Sequence, residues 1–364
     1  MSRPFIMQCR PYFGAEEKSA LLEYMDEDGF ITEFKRTEKF ERLIADFTGA
    51  KHCIVVNNGT VSLTLAAIAS GICPDDEVIV PNYTMIATPN SIKMIGATPV
   101  FVDVEPDTLC MDIAKVKEAI TSRTKAIIFV SPNGRFPRVG IEEFEVLANE
   151  HHLALIEDAA QSLGSFYPDG RHIGRAGSIG SFSFSAPKII STGQGGALIT
   201  DDDELDASLR RLKDFGRASG GNDIHDTVGF NFKFTELQAC VGIAQFSKLP
   251  ARVSRKREIW TRYASNLRGV SELALYNHDV RYTTPWFIDC IVQDRSELAS
   301  FLFENGIGTR VMYPPINKQK AYSLGGDYVV SEHVGRSGLW LPSSVQLTNT
   351  EIDMICECIR SFYQ

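Results

Sequence analysis

The sequence predicts an α/β chain with an open, mainly parallel sheet flanked by helices, followed by a smaller unit of helices and strands. Three observations predict it. Short Val- and Ile-rich runs alternate with amphipathic helical patterns over the first two-thirds of the chain. Most of these runs lack the period-two alternation of a half-buried strand, which suits strands covered on both faces. Near Pro250 the texture changes, and "SRKREIWTRYASNL" reads as a charged helix leading into a different region. A chain of 364 residues also exceeds the size at which one core stops growing. The boundary is therefore placed at residue 250, giving a large unit over 1–250 and a small unit over 251–364. The first thirty or so residues are expected to pack on the small unit.

The strands expected, in order, are "CIVVNN", "EVIVP", "PVFVDV", "KAIIFVS", "ALIEDAA", "SFSFSA" and "GALIT", each bounded by turn residues. Between them, "TEKFERLIADFTG" and "IEEFEVLANEHH" carry apolar residues at helical spacing. The chain closes with "TNTEIDMICECIRSFY", a further amphipathic helix. In an open α/β sheet a ligand binds outside the carboxyl ends of the strands, which is where functional residues should gather.

Bulk properties narrow the function. The formal net charge is −9 with no long basic run, which argues against a nucleic-acid or anionic-membrane partner. The opening "MSRPFIMQCRPYFG" lacks the basic and apolar stretches of a signal peptide, and no apolar run approaches the roughly 20 residues that span a bilayer. A cytoplasmic protein is expected, so the Asn58-Gly59-Thr60 glycosylation triplet should be idle. The eight cysteines are scattered, and Cys53 and Cys290 lie in strand-like apolar runs where they act as small hydrophobes. Cys356 and Cys358 fall on different sides of a helix, and the seven histidines form no HxxxH or HExxH pair, so no metal is expected.

Three segments end at what should be one edge of the sheet. "NNGTVSLTLAAIASG" is a strand end, a glycine and a helix starting near Thr60, whose unpaired N–H groups suit a phosphate, although strand–Gly–helix turns are common. "ALIEDAAQSLGS" sets Glu157 and Asp158 at a strand end with Gln161 following. A carboxylate there either caps a following helix or holds a proton on a pyridine-type nitrogen. "SFSFSAPKIISTGQGGALIT" places Lys188 on a Ser- and Gly-rich loop between two buried strands, with Ser183 offering a hydroxyl five residues earlier. Desolvation lowers a lysine pKa and frees its lone pair for imine formation.

With those residues in view, "IEDAAQSLGS", "GSFSFSAPKIISTGQGGALITDD" and "GFNFKFTELQACVGIAQF" resemble the signature segments of the DegT/StrS family of sugar aminotransferases, pyridoxal-phosphate (PLP) enzymes of fold type I. Similar strings elsewhere extend the resemblance over nearly the whole chain. It implies that Lys188 carries PLP covalently and moves a proton once released, with pyridoxamine phosphate as the intermediate form. By the same resemblance Asp158 pairs with the pyridinium nitrogen, Gln161 meets the ring 3-hydroxyl, and Gly59, Thr60 and Ser183 hold the phosphate. Asn231 would reach the phosphate of a neighbouring subunit, implying a homodimer with shared active sites. The implied partners are L-glutamate and a keto sugar, most readily a nucleotide-linked 4-keto-6-deoxy sugar, in amino-sugar or surface-polysaccharide biosynthesis.

The sequence departs from the commoner family pattern in the loops near the substrate. Met85, with Tyr83 nearby, stands where many relatives carry an aromatic over the PLP face. "SPNGRF" replaces a histidine with Ser131 and adds Arg135, and "PPINKQKAY" lacks the usual histidine. Arg135 and Arg310 are the candidates for substrate contacts. Other readings are a different keto sugar or aminated carbon, a PLP-dependent sugar dehydratase, and a PLP-binding regulator without catalysis. The dehydratases of the family replace the lysine with histidine, and intact Asp158, Gln161 and Lys188 argue against a silent regulator. An unrelated nucleotide-binding protein would need GxGxxG or GxxxxGK[ST], and neither string occurs.

Overall fold

In the computed structural model, which describes residues 4–27, 29–218 and 223–364, all seven expected strands of the first two-thirds join one sheet. They are β1 (His52–Val56), β2 (Glu77–Pro81), β3 (Thr98–Val102), β4 (Thr124–Val130), β5 (Ala154–Asp158), β6 (Ile179–Ser183) and β7 (Gly196–Thr200). Their order is β1-β7-β6-β5-β4-β2-β3. Every pair from β6 across to β3 is parallel, whereas β7 runs antiparallel to both β6 and β1. The sheet is therefore mixed but mainly parallel, as the sequence predicts.

The absence of period-two polarity has its cause in the two apolar layers. Cys53 and Val55 of β1, Ile127 and Phe129 of β4, and Leu155 of β5 point into one core. Ile54, Val56, Ala126, Ile128 and Ile156 point into the other. The helices Lys35–Thr48 and Glu142–Glu150 cover the first face, through Phe40, Ile44 and Phe144. Helices Gly59–Ala69 and Asp203–Lys213 cover the second, through Leu63, Leu65 and Leu209. Most strand residues are buried whichever way they point, the exceptions lying mainly at strand ends, so polar alternation has no place.

Beyond the helix Leu249–Asn266 a second, antiparallel sheet forms from β8 (Leu273–Leu275), β9 (Ile288–Val292), β10 (Arg310–Val311) and β11 (Gly338–Leu341), in the order β10-β11-β9-β8. Its core includes Ile259, Tyr263, Cys290, Ile352 and Cys356, from that helix, β9 and the closing helix Asn349–Phe362. The N-terminal stretch splits between the two sheets. Ile6 exchanges backbone hydrogen bonds with Gly306 (2.8 Å) and Gly308 (2.7 Å) beside the second sheet. Helix Ala15–Asp26 instead packs against helix Glu236–Ser247, where Glu17 accepts from Gln245 at 2.7 Å. The first thirty residues thus do not join the smaller sheet as a block. A buried carboxylate needs donors, and Glu17 finds them on the other side.

Two ties lock the sheets together. Asn133, just after β4, spans the backbone of Phe287 with both ends of its amide: Nδ2 donates to Phe287 O at 2.8 Å and Oδ1 accepts from Phe287 N at 2.6 Å. It holds a left-handed backbone (φ 58°), a conformation asparagine tolerates better than most residues. Beside it, Arg135 pairs with Asp289 of β9.

Candidate active site

The carboxyl ends of β1, β5 and β6 converge on a cavity of about 290 Å³. Gly59, Thr60, Met85, Asp158, Gln161, Ser183, Lys188 and Arg310, all singled out in the sequence, line it. Thr84, Trp286 and Tyr313, which the sequence did not single out, line it as well.

One end of the cavity is built for an anion. Asn58 caps the helix Gly59–Ala69, its Oδ1 accepting from Val61 N at 3.0 Å, while Ser62 N bonds Asn58 O at 3.2 Å. That leaves the N–H groups of Gly59 and Thr60 outside the intrahelical pattern, at the positive end of the dipole. The backbone is packed tightly here. A Cβ on Gly59 would stand 2.8 Å from Ser183 Cβ, and one on Gly196 would stand 2.6 Å from Asn58 C. The close approach brings the Ser183 side chain against the helix start.

A carboxylate stands elsewhere on the cavity wall. Asp158 is the last residue of β5 and only 7% exposed. Its Oδ2 accepts from Thr88 Oγ1 at 2.7 Å and its Oδ1 from Ala160 N at 3.2 Å. Burial pushes its pKa up, and the two hydrogen bonds and the Lys188 charge partly oppose that rise. No helix follows directly after β5, so Asp158 caps none. Its neighbour Glu157 points the opposite way along the strand and is saturated by Tyr167 Oη (2.5 Å) and the N–H groups of Gly174 (3.0 Å), Ala176 (2.5 Å) and Gly177 (2.9 Å). Strand alternation therefore gives one carboxylate to the cavity and the other to the scaffold. Gln161 uses its Oε1 to accept from Asn133 N at 2.6 Å, which leaves its NH₂ as the donor available to the cavity.

Lys188 lies on the loop joining β6 to β7, half-buried and without a hydrogen bond or ion pair at Nζ among the described residues. Its amine sits 4.3 Å from the ring centroid of Trp286, and Trp286 Nε1 donates to Pro187 O at 2.8 Å. Burial lowers the lysine pKa to about 8; the Asp158 charge opposes the fall and Arg310 adds to it. Near neutral pH a useful fraction of the amine is therefore unprotonated and nucleophilic.

Two residues singled out in the sequence lie elsewhere. Arg135 is 4% exposed and committed: Nη2 bonds Asp289 Oδ2 at 2.7 Å, Nη1 contacts His278 Nε2 at 3.0 Å, and Nε donates to Thr108 O at 2.8 Å. A guanidinium with its donors used in this way tethers the sheets and has no fork left for a substrate. Asn231 is exposed and forms an isolated bridge with Asp214, away from its own chain's cavity. Arg310, by contrast, is exposed at the cavity mouth, its guanidinium 5.4 Å from the Trp340 ring centroid.

A phosphate cradle, a buried carboxylate and a pKa-depressed amine around one cavity are what a phosphorylated pyridine aldehyde requires. The residues present fit pyridoxal phosphate. The amino-acid sequence matches the model of the DegT/DnrJ/EryC1/StrS aminotransferase family over residues 11–360. It is 34% identical over 363 residues to a GDP-perosamine synthase of Escherichia coli O157:H7, with 99% of each chain covered. Among solved structures, DesV of S. venezuelae superposes with a TM-score of 0.91 at 31% identity, covering 100% of this chain and 99% of the other. The sugar aminotransferase Spr1654 of Streptococcus pneumoniae, described as putative and solved in PLP and PMP forms, superposes at 0.90 and 0.91 with 26% identity, covering 100% of this chain and 99% of the other. No helix among the described residues is long and apolar enough to cross a membrane. On its sequence, its fold and its cavity, the chain belongs to the DegT/DnrJ/EryC1/StrS aminotransferase family.

Proposed function

We propose that this PLP-dependent aminotransferase moves the amino group of L-glutamate to a nucleotide-linked 4-keto-6-deoxy sugar, in the making of an amino sugar for surface polysaccharide. GDP is the first nucleotide to test, because the E. coli relative is a GDP-perosamine synthase. The observation that carries the reading is the amine of Lys188, depressed to about 8 and set in one cavity with Asp158 and the Gly59–Thr60 helix start. Bound PLP supplies an electron sink that stabilises negative charge on the carbon losing its proton. Lys188 binds the cofactor and, when free, takes and returns the proton at that carbon. Asp158, held by Thr88, keeps a proton on the ring nitrogen. Gly59, Thr60 and Ser183 grip the phosphate, Gln161 orients the ring through its NH₂, and Met85 covers one face. Arg310, at the mouth, meets the donor carboxylate.

The test is a half-reaction. The purified chain, loaded with PLP and given L-glutamate alone, is expected to release 2-oxoglutarate and lose the visible absorbance of lysine-bound PLP. Adding GDP-4-keto-6-deoxymannose should restore that absorbance in a separate step and yield an aminated sugar by mass. One cavity serving two substrates in turn gives ping-pong kinetics. Persistence of the absorbance with no 2-oxoglutarate would remove glutamate as donor.

The assembly is proposed to be a homodimer with shared sites. Phe30, Ile31 and Phe34, exposed at 65%, 49% and 49%, and the exposed Leu22 and Met25 nearby in the sequence, are apolar side chains that a second copy would cover. Thr235 caps helix Glu236–Ser247, accepting from Gln238 N at 3.2 Å, and so fixes the end of the segment bearing Asn231. Asn231→Ala is expected to weaken PLP affinity about ten-fold, the worth of roughly one hydrogen bond to a charged group, with the thermal midpoint unchanged. Equilibrium titration and sedimentation at dilution read both claims, and a fully active monomer would refute them.

A further inference from the structure

We infer that Trp286 is the berth of the free Lys188 amine: its indole face holds and orients that amine whenever it is not joined to cofactor, making Trp286 a positioning residue for the proton carrier. The inference deepens the proposed reaction and rests on Lys188 being its lysine.

The contact itself is specific. Lys188 Nζ lies 4.3 Å from the Trp286 centroid and has no hydrogen bond or ion pair among the described residues, so the ring face is the direct contact the structure gives its charge. An ammonium over an indole face is attracted by the ring quadrupole, and more strongly where water is excluded. Trp286 is 4% exposed, so the contact is largely dry.

The ring is also fixed on several sides, which a chance contact would not require. Its Nε1 donates to Pro187 O at 2.8 Å, coupling the ring to the residue just before the lysine. Its own carbonyl accepts from the buried Lys256 Nζ at 2.5 Å, and the same ammonium donates to Ser343 O at 2.5 Å. The indole stacks on Phe287 at 3.7 Å, and the backbone of Phe287 is clasped by Asn133. Thus the second sheet reaches across to the lysine loop of the first and places a π surface beneath its amine.

The test reads the amine directly and needs no turnover. The full-length chain, freed of cofactor, is labelled with a trace of acetic anhydride across a pH series, and the modification of Lys188 is followed by mass spectrometry. Only the neutral amine reacts, so the midpoint reports its protonation. Losing the ring removes stabilisation of the ammonium, so Trp286→Leu is expected to move the midpoint down by about one pH unit, a ten-fold change in protonation balance. Trp286→Phe, which keeps a weaker π face, should move it down by less. If the leucine variant does not fold, the direction in the phenylalanine variant decides. An unmoved midpoint, or one that rises because water reaches the amine, overturns the berth. Failure of the wild-type chain to bind PLP at all would instead overturn the proposed function, and the labelling result would stand apart from it.

Discussion

Lys188→Ala is expected to abolish transamination, with kcat reduced by at least about 10⁴-fold, and to remove the visible absorbance of lysine-bound PLP. The proposed reaction gives the one amine two functions: the covalent attachment, and the proton transfer that a positioned base speeds by about 10²–10⁴-fold. Among the described residues that line the cavity, Lys188 is the one lysine. Lys256 is the next buried amine, but its Nζ is spent on the carbonyls of Trp286 and Ser343. The variant should fold, because Lys188 Nζ contributes no hydrogen bond or ion pair among the described residues. The loss should also show a pH signature in the parent. The amine binds cofactor as a neutral group, so recombination of PLP with cofactor-free protein should accelerate as pH rises through about 8, rather than through the 10.5 of an ordinary lysine. Rapid-mixing absorbance reads both results. An alanine variant with near-normal turnover would dismiss Lys188 as the carrier.

Asp158→Ala is expected to cost on the order of 10²–10³ in kcat while PLP remains bound. The carboxylate is the acidic side chain that β5 turns toward the cavity, since Glu157 beside it is consumed by four donors. Burial alone favours its neutral form, and Thr88, Ala160 and Lys188 work against that. A protonated ring nitrogen would add a cation at close range and hold the carboxyl ionised. The measurement is single-turnover absorbance with glutamate, paired with a binding titration. Turnover within a few-fold of the parent would show that the carboxylate only anchors Thr88.

Much of this site was legible because it is assembled from strand ends. Asp158 and Ser183 end, and the Gly59–Thr60 turn follows, apolar runs that read as buried strands; β5 and β6 are parallel neighbours, and β1 runs the same way across the antiparallel β7, so the three carboxyl ends lie at one edge. Arg135 misled for the opposite reason. A cation in a loop near the strand ends reads as a substrate contact, but its partner Asp289 is 154 residues away and nothing local announces it. Trp286 went unnoticed because "TTPWFIDC" reads as core of the second sheet, and its meeting with Lys188 depends on how the two sheets pack. The reversed direction of β7 left a sign that could have been used. The segment joining β6 to β7 contains no helical pattern, whereas a parallel crossover in this fold requires one.

That return from β6 to β7 bears on how firmly Lys188, in its proposed role, would keep the cofactor. The two strands are hydrogen-bonded neighbours, with Ser183 opposite Gly196, so both ends of the lysine loop are pinned side by side. Lys188 lies five residues after Ser183 and eight before Gly196, on a tether held at both ends by that pairing. A well-oriented tethered group can reach effective concentrations on the order of 10⁵ M, far above those of amines dissolved around the protein. On the role proposed for Lys188, the tethered amine would recapture the aldehyde ahead of free amines, and the catalyst would keep its cofactor on dilution.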